Sequence, residues 1–146
     1  MRGYRRILVA TDFSDTSAVA AQRGAELALR YEAVLMLLHV IEHFPADMPS
    51  EWIAPENRDP ATYYREQART ALANLAKNIG HEDAAQQVVM SSSSARYEIL
   101  RFAQSEEIDL IVIGWHGTGA LPAFGSTVMG VISEAPCDVV VVRPAP

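Results

Sequence analysis

Apolar residues along this chain fall into short continuous runs, and the runs are separated by longer segments with apolar positions near helical spacing. The runs are four to eight residues long, too short for helices and suited to strands covered on both faces of a sheet. They predict five strands, at residues 7–11, 34–41, 87–90, 110–113 and 139–142.

The intervening segments predict four helices. Asp59 and Pro60 form a good N-cap and first-residue pair for an alanine-rich helix that Gly80 ends. The other three are expected at residues 16–31, 95–107 and 128–134. Alternating strands and helices predict a mostly parallel sheet with helices on both faces, and right-handed crossovers restrict its topology.

The fourth predicted strand leads into a glycine-bearing loop and then a helix. Glycines have no Cβ, so backbone N–H groups there can approach a ligand closely. Ser126 and Thr127 lie where the helix should begin, and helix N-termini attract phosphate. This segment therefore predicts an anion site. Its glycines are Gly114, Gly117, Gly119 and Gly125.

Length and composition fit a single domain spanning residues 1–146, since 146 residues with 49% hydrophobic content can build one core. The net charge of −6 and the scattered basic residues argue against binding nucleic acid or an anionic membrane. No apolar stretch is long enough to cross a bilayer, and a lone Cys137 excludes an internal disulfide. We expect a cytoplasmic protein whose partners are small molecules or proteins.

A long segment between the second strand and second helix breaks the alternation. Residues 44–59 contain Pro45, Pro49 and Pro55 and show little periodicity. The segment leaves the carboxyl end of a strand, the edge at which open α/β sheets bind ligands. Long loops of this kind are either functional or disordered, so a lid and a mobile connection both remain open.

Five segments in order carry a family resemblance: RRILVATDFSDTS, LLHVIE, DLIVIGWHG, FGST and APCDVVVVRP. Together they resemble the universal stress protein family over nearly the whole chain. The resemblance implies a Rossmann-like or flavodoxin-like sheet of five strands in the order 3-2-1-4-5, in a stress-response protein that usually forms a homodimer.

Nucleotide-binding members of that family hold an adenine nucleotide at the carboxyl edge of the sheet, so the resemblance implies ATP, alone or with Mg²⁺, as the cofactor. Asp12 would lie in the nucleoside cradle, although it could instead cap the first helix together with Ser14. Val40 would face adenine through its backbone. His116 could donate to a phosphate or ribose oxygen, or be a surface histidine. The implied binding residues are Ala10, Thr11, Asp12, Val40, Ile113, Gly114, His116, Gly117, Gly125, Ser126 and Thr127.

The glycine loop departs from the nucleotide-binding pattern, which resembles G-x-x-G, nine residues, then G-S or G-T. Here seven residues separate Gly117 from Gly125, and no Lys or Arg occurs between Gly114 and Glu134. In a second branch of the family the nucleotide is absent, and the resemblance to that branch implies action through dimers and partner proteins. Two hypotheses therefore stand: a dimer that binds an adenine nucleotide, and a signalling or scaffolding dimer whose cradle is empty.

Catalysis and metal binding are not expected. No residue stands out as a general base, the Walker lysine is absent, and any ATP hydrolysis should be slow. A nucleotide-dependent transferase that shares the wider fold is not expected either, because the motifs H-x-G-H and S-G-G-x-D-S are missing. His39 fits a satisfied interior position, and its spacing from His43 and His116 matches no metal motif.

The last strand is the expected dimer contact. By the family order it lies at the sheet edge, and an uncovered apolar edge promotes aggregation. Pairing with the same strand of a second copy would satisfy both edges at once. The residues are Val139, Val140, Val141 and Val142.

Overall fold

A computed structural model describes residues 3–42, 59–115 and 126–144 of the chain. Strands and helices alternate throughout. The strands are β1 (Arg6–Ala10), β2 (Val34–Ile41), β3 (Ala85–Met90), β4 (Leu110–Gly114) and β5 (Asp138–Val142). The helices are α1 (Asp15–Tyr31), α2 (Pro60–Asn78), α3 (Ala95–Ser105) and α4 (Ser126–Glu134). The expected long loop falls mostly outside the described residues.

All five strands belong to one parallel sheet in the order β3-β2-β1-β4-β5, which confirms the predicted fold class. β1 lies in the middle, and its Val9 is in register with Leu37 of β2 and Val112 of β4. These three side chains are fully buried. Continuous apolar sequence in β1 and β4 thus reflects helices on both faces of the sheet.

Successive side chains of each strand pack into two separate layers of the core, because strand residues point alternately to opposite faces of the sheet. On one face Val9 packs with residues of α1 and α2, including Ala21 and Leu72. On the other face Leu8 packs with residues of α3 and α4, including Val131. The sheet is therefore covered by two helices on each side.

Side-chain caps set the starts of three helices. Ser14, Asp59 and Ser94 are the N-caps of α1, α2 and α3, and each side chain accepts a hydrogen bond from a backbone N–H three residues on. The Asp59 cap was predicted from the sequence. α3 ends at Ser105, two residues earlier than expected, because Glu107 adopts a left-handed conformation with φ of 53°.

Over the described residues, no helix has both the length and the apolar character that crossing a membrane requires.

Candidate functional site

A cavity of about 190 Å³ opens at the carboxyl ends of the three central strands. Strand order reverses at β1, since β2 and β4 lie on either side of it and their connections run over opposite faces. Open α/β sheets place ligands in the crevice at such a point. The lining comprises Ala10, Thr11, Asp12, Ser14, Ser17, Leu38, Val40, Glu42, Ala95, Ile99, Ile113, Gly114, Trp115, Thr127 and Val128.

The turn from β1 into α1 is held by a hydrogen-bond network centred on Thr11, whose side chain is buried. The Thr11 backbone N–H donates to the carbonyl of Leu38 at 2.9 Å. Its hydroxyl lies 2.9 Å from that of Ser17 and accepts a hydrogen bond from the Phe13 N–H at 3.0 Å. The network fixes one wall of the cavity before any ligand binds.

Asp12 follows Thr11 in this wall. Its Oδ1 accepts a hydrogen bond from the Ser14 N–H at 3.0 Å, while Ser14 itself caps α1. Burial acts to raise the pKa of Asp12, but hydrogen bonding with Ser14 and Ser17 outweighs it and leaves the pKa below its usual value. The carboxylate is therefore negatively charged at neutral pH, and Ser14 alone has the capping role once considered for both.

His39 of β2 packs against the same turn between β1 and α1. Its Nδ1 lies 2.8 Å from the carbonyl oxygen of Thr11, and its ring packs on Phe13 with centroids 4.3 Å apart. Burial lowers the pKa of His39, partly offset by the Thr11 carbonyl and the charge of Asp12. His39 is thus a satisfied, partly covered histidine, as the sequence indicated.

Glu42 is a lining residue that the sequence-based site did not include. It follows β2 directly, as Asp12 follows β1 by two residues, so both carboxylates reach the same edge of the sheet. The described lining contains no Lys or Arg. Glu42 could have been included from the sequence, because it follows the end of a strand and the carboxyl ends of parallel strands share one edge of the sheet.

The end of β4 packs closely against the start of α1. A Cβ built on Gly114 would lie 3.0 Å from the carbonyl oxygen of Thr16, which is tighter than ordinary contact. The N–H of Trp115 donates to the carbonyl of Val142 at 2.7 Å and extends the β4–β5 pairing. These contacts place both residues in the cavity wall.

A positive charge stands beside the lining residue Trp115. The guanidinium carbon of Arg143 lies 4.0 Å from the centroid of the Trp115 ring, which is cation–π geometry. The glycine loop itself contains no Lys or Arg. Arg143 is remote from that loop in sequence and approaches Trp115 through the β4–β5 pairing, so the loop gave no sign of it.

α4 contributes the last part of the wall. The helix begins at Ser126, two residues before the start predicted at 128, and Thr127 and Val128 line the cavity. His116, Gly117 and Gly125 lie outside the described residues, as does the side chain of Ser126.

No group of three or more His, Cys, Asp or Glu side chains that could hold a metal ion occurs in residues 3–42, 59–115 and 126–144. His43 and His116 fall outside those ranges. Cys137 is partly exposed, and burial raises the pKa of its thiol, so its reactive thiolate form is disfavoured.

The sheet order, the two helical layers and the crevice at the reversal of strand order define an open, Rossmann-like α/β protein with a cavity at the carboxyl edge of its sheet. The sequence profile of the Universal stress protein family matches residues 3–143. The chain belongs to this family.

Individual relatives agree over almost their full length. The chain is 33% identical over 140 residues to Universal stress protein A homolog 1 of Coxiella burnetii, covering 95% of this chain and 96% of that protein. The solved structure of universal stress protein UspA from Lactobacillus plantarum is 32% identical, with a TM-score of 0.67 and coverage of 98% and 100% of the two chains.

A second solved structure is a nucleotide complex. It is the universal stress protein from Archaeoglobus fulgidus in complex with dAMP, at 21% identity and a TM-score of 0.67, covering 95% of this chain and 98% of that one. At this identity the likeness concerns the fold.

Proposed function

We propose that this universal stress protein binds an adenine nucleotide in the cavity at the carboxyl edge of its sheet, and that binding is its function. One observation carries the proposal: seven of the eleven residues implied by the family resemblance line this one cavity. They are Ala10, Thr11, Asp12, Val40, Ile113, Gly114 and Thr127. The other four are the loop and helix-start positions whose side chains are not described.

The lining offers partners for each part of such a ligand. Leu38, Ile99 and Ile113 provide apolar surface for a base, and the Asp12 carboxylate can accept hydrogen bonds from ribose hydroxyls. The first turn of α4, with the Thr127 side chain, offers N–H groups and a helix dipole to phosphate. The dAMP complex of the Archaeoglobus fulgidus protein is consistent with this ligand class.

The proposed ligand is ATP, with Mg²⁺ as its counterion. Mg²⁺ fits a cavity that contains the Asp12 and Glu42 carboxylates, because it prefers carboxylate and phosphate oxygens. The described lining contains no Lys or Arg that could stabilise the charge of a phosphoryl-transfer transition state, so we propose binding without rapid turnover.

Calorimetric titration of nucleotide-stripped protein with MgATP tests the proposal. We expect saturable micromolar binding, equivalent to about −8 kcal/mol. Asp12→Asn should weaken binding by about tenfold, because a neutral amide accepts hydroxyl hydrogen bonds less strongly than a carboxylate. Asp15→Asn is the matched control, since Asp15 is exposed and absent from the lining. Equal losses in both variants would contradict the assignment of Asp12.

A scaffolding dimer with an empty cradle is the second candidate. It is favoured by the loop that is two residues short and by the absence of Lys and Arg between Gly114 and Glu134. No heat at millimolar MgATP from a folded protein would support it. Gly117→Val separates the two candidates further, because a bulky side chain in the loop should abolish nucleotide binding and leave a scaffold unaffected.

Homodimerisation through β5 is part of both candidates. β5 is an edge strand that pairs with β4 in the described sheet, and its central valines remain partly exposed. Met129 and Ile132 of α4 are also exposed, at 43% and 44%. A second copy pairing edge to edge would cover this apolar strand.

A further inference from the structure

His39 contacts the cavity wall without belonging to the cavity. Leu38, Val40 and Glu42 line the cavity, and His39 lies between them on the opposite face of β2, because alternate strand residues point to opposite faces. Its side chain contacts Thr11 and Phe13, which flank Asp12, and through these two residues it can act on the cavity.

The contact with Thr11 has a defined direction. A carbonyl oxygen can only accept, so the Nδ1 of His39 donates the hydrogen bond at 2.8 Å. In the neutral ring this assigns the proton to Nδ1 and leaves Nε2 unprotonated. The bond fixes the carbonyl of the peptide unit that joins Thr11 to Asp12, and hence the direction in which the chain leaves β1.

β2 holds this peptide segment at two points. The carbonyl of Leu38 accepts from the Thr11 N–H, and the side chain of the next residue, His39, donates to the Thr11 carbonyl. Thr11 is thus the point at which β2 sets the geometry of the β1–α1 turn.

The second contact supports an unfavourable backbone conformation. Phe13 has φ of 64°, a left-handed value that bulky residues rarely adopt and that persists only where the surroundings enforce it. Its ring packs on His39 at a tilt of 33°. His39 therefore stabilises both neighbours of Asp12, the charged residue that the cavity presents to a ligand.

We propose that His39 is a positioning residue for the nucleotide site: through the Thr11 carbonyl and the Phe13 ring it holds the Asp12 carboxylate in its binding orientation. The inference rests on the proposed function. It differs from a purely structural role because the Nδ1 donor, and not only the volume of the ring, is required.

Three substitutions separate donor position from side-chain volume. Asn can place its amide nitrogen near the position of Nδ1, Gln places its own near Nε2, and Leu fills space without a donor. We expect His39→Leu and His39→Gln to weaken MgATP binding by about tenfold and His39→Asn to remain within about threefold of the parent protein. Titration calorimetry gives the affinities, and urea unfolding of each variant gives its stability.

Equal weakening by the Asn and Leu variants at equal stability would overturn the proposal, as would full affinity in the Leu variant. A second readout needs no ligand: hydrogen exchange at the amides of Phe13 and Ser14, which bond to Thr11 Oγ1 and Asp12 Oδ1. Exchange should accelerate in the Leu variant and recover in the Asn variant, and unchanged exchange would refute the positioning role.

The affinity and exchange measurements together distinguish a failure of the proposed function from a failure of the role assigned to His39. If the parent protein binds no adenine nucleotide, the proposed function fails, and the exchange rates alone decide whether His39 orients the turn. If the parent protein binds but the variants do not differ in affinity or exchange, the nucleotide site stands and the role of His39 fails.

Discussion

At the scale of single residues, the charge around the cavity is the property that most affects ligand choice. Asp12 and Glu42 both line it, and the pKa of Asp12 is held below its usual value. Arg143 lies on the ring of the lining residue Trp115, but it is not itself a lining residue. The cavity wall is therefore acidic toward a ligand that is itself anionic.

Removing one of these charges should favour phosphate-rich ligands. We expect Glu42→Gln to strengthen binding of ATP without Mg²⁺ by about threefold to tenfold and to leave adenosine binding nearly unchanged, with a smaller effect at high salt. Glu82→Gln is the matched control, because Glu82 is exposed and absent from the lining. Calorimetry with both ligands measures the ratio of affinities, and an equal gain for ATP and adenosine would show that Glu42 does not act through charge.

His39 makes folding stability depend on pH in a predictable direction. Burial lowers the pKa of His39 in the folded protein, so the unfolded chain takes up the proton first as pH falls. The stabilisation that neutral His39 contributes is complete at pH values above its unfolded-state pKa of about 6.5. It declines as the pH falls toward the lower pKa of His39 in the folded protein. Urea unfolding at pH 7.5 and 5.5 should show this loss in the parent protein and a smaller loss in His39→Asn. Equal losses of stability in the parent protein and in His39→Asn would show that the pH dependence arises from other groups.

The cavity-lining residues show what the sequence could supply. Ala10, Thr11 and Ile113 were implied by the family resemblance, and they meet in one cavity because parallel strands bring their carboxyl ends to one edge of the sheet. Glu42 follows the same rule and was overlooked. Arg143 could not be found from the glycine loop, because it is remote in sequence and reaches Trp115 through the β4–β5 pairing, in which Gly114 is in register with Val142.

At the scale of elements, the boundaries that were predictable are those with a chemical marker. Asp59 and Pro60 mark the start of α2, and β2 was bounded correctly because both ends of its apolar run change sharply. β3 begins at Ala85, two residues earlier than expected, since Gln86 and its neighbour pair with β2 through their backbones while their side chains stay exposed. Backbone pairing at a sheet edge leaves no mark in the hydrophobic pattern.

The open edge of β5 gives a prediction about assembly. Val141→Lys should convert a dimer into monomers on a sizing column, because a charged side chain on an edge strand opposes pairing with a second copy. Val34→Lys is the matched control: Val34 is an exposed valine at the start of β2, a strand with neighbours on both sides. Circular dichroism establishes that both variants fold. A folded Val141→Lys dimer would move the interface to another surface.

At the scale of the whole molecule, the contact between α1 and the central strand sets how closely one helical layer approaches the sheet. A Cβ on Gly24 would lie 2.4 Å from Cγ2 of Val9, which is fully buried. Gly130 of α4 is also crowded, but by the Arg96 side chain, whose ion pair with Glu134 spans 3.9 Å at the surface. Val9 on the buried strand cannot move away from an added methyl group, whereas the exposed side chain of Arg96 can.

Alanine at these two glycines should therefore have opposite effects. We expect Gly24→Ala to lower the free energy of unfolding by about 1–3 kcal/mol through overpacking. Gly130→Ala should be neutral or stabilising by up to about 1 kcal/mol, because alanine restricts the unfolded chain and favours the helix. Urea unfolding of both variants measures the difference, and a Gly24→Ala protein of full stability would show that α1 can move away from the sheet.

The cavity lining has a consequence for the lifetime of the protein in the cell. Its walls come from residues as far apart as Ala10 and Val128, so the cavity exists only when the three central strands and the helices beside them have assembled. A nucleotide that binds there, as proposed, therefore opposes unfolding of the whole chain, by about 2.7 kcal/mol at a hundred times its dissociation constant. Proteases that act on unfolded chains would remove the protein more slowly when the nucleotide is abundant, and its steady-state amount would follow the adenylate pool without any change in synthesis.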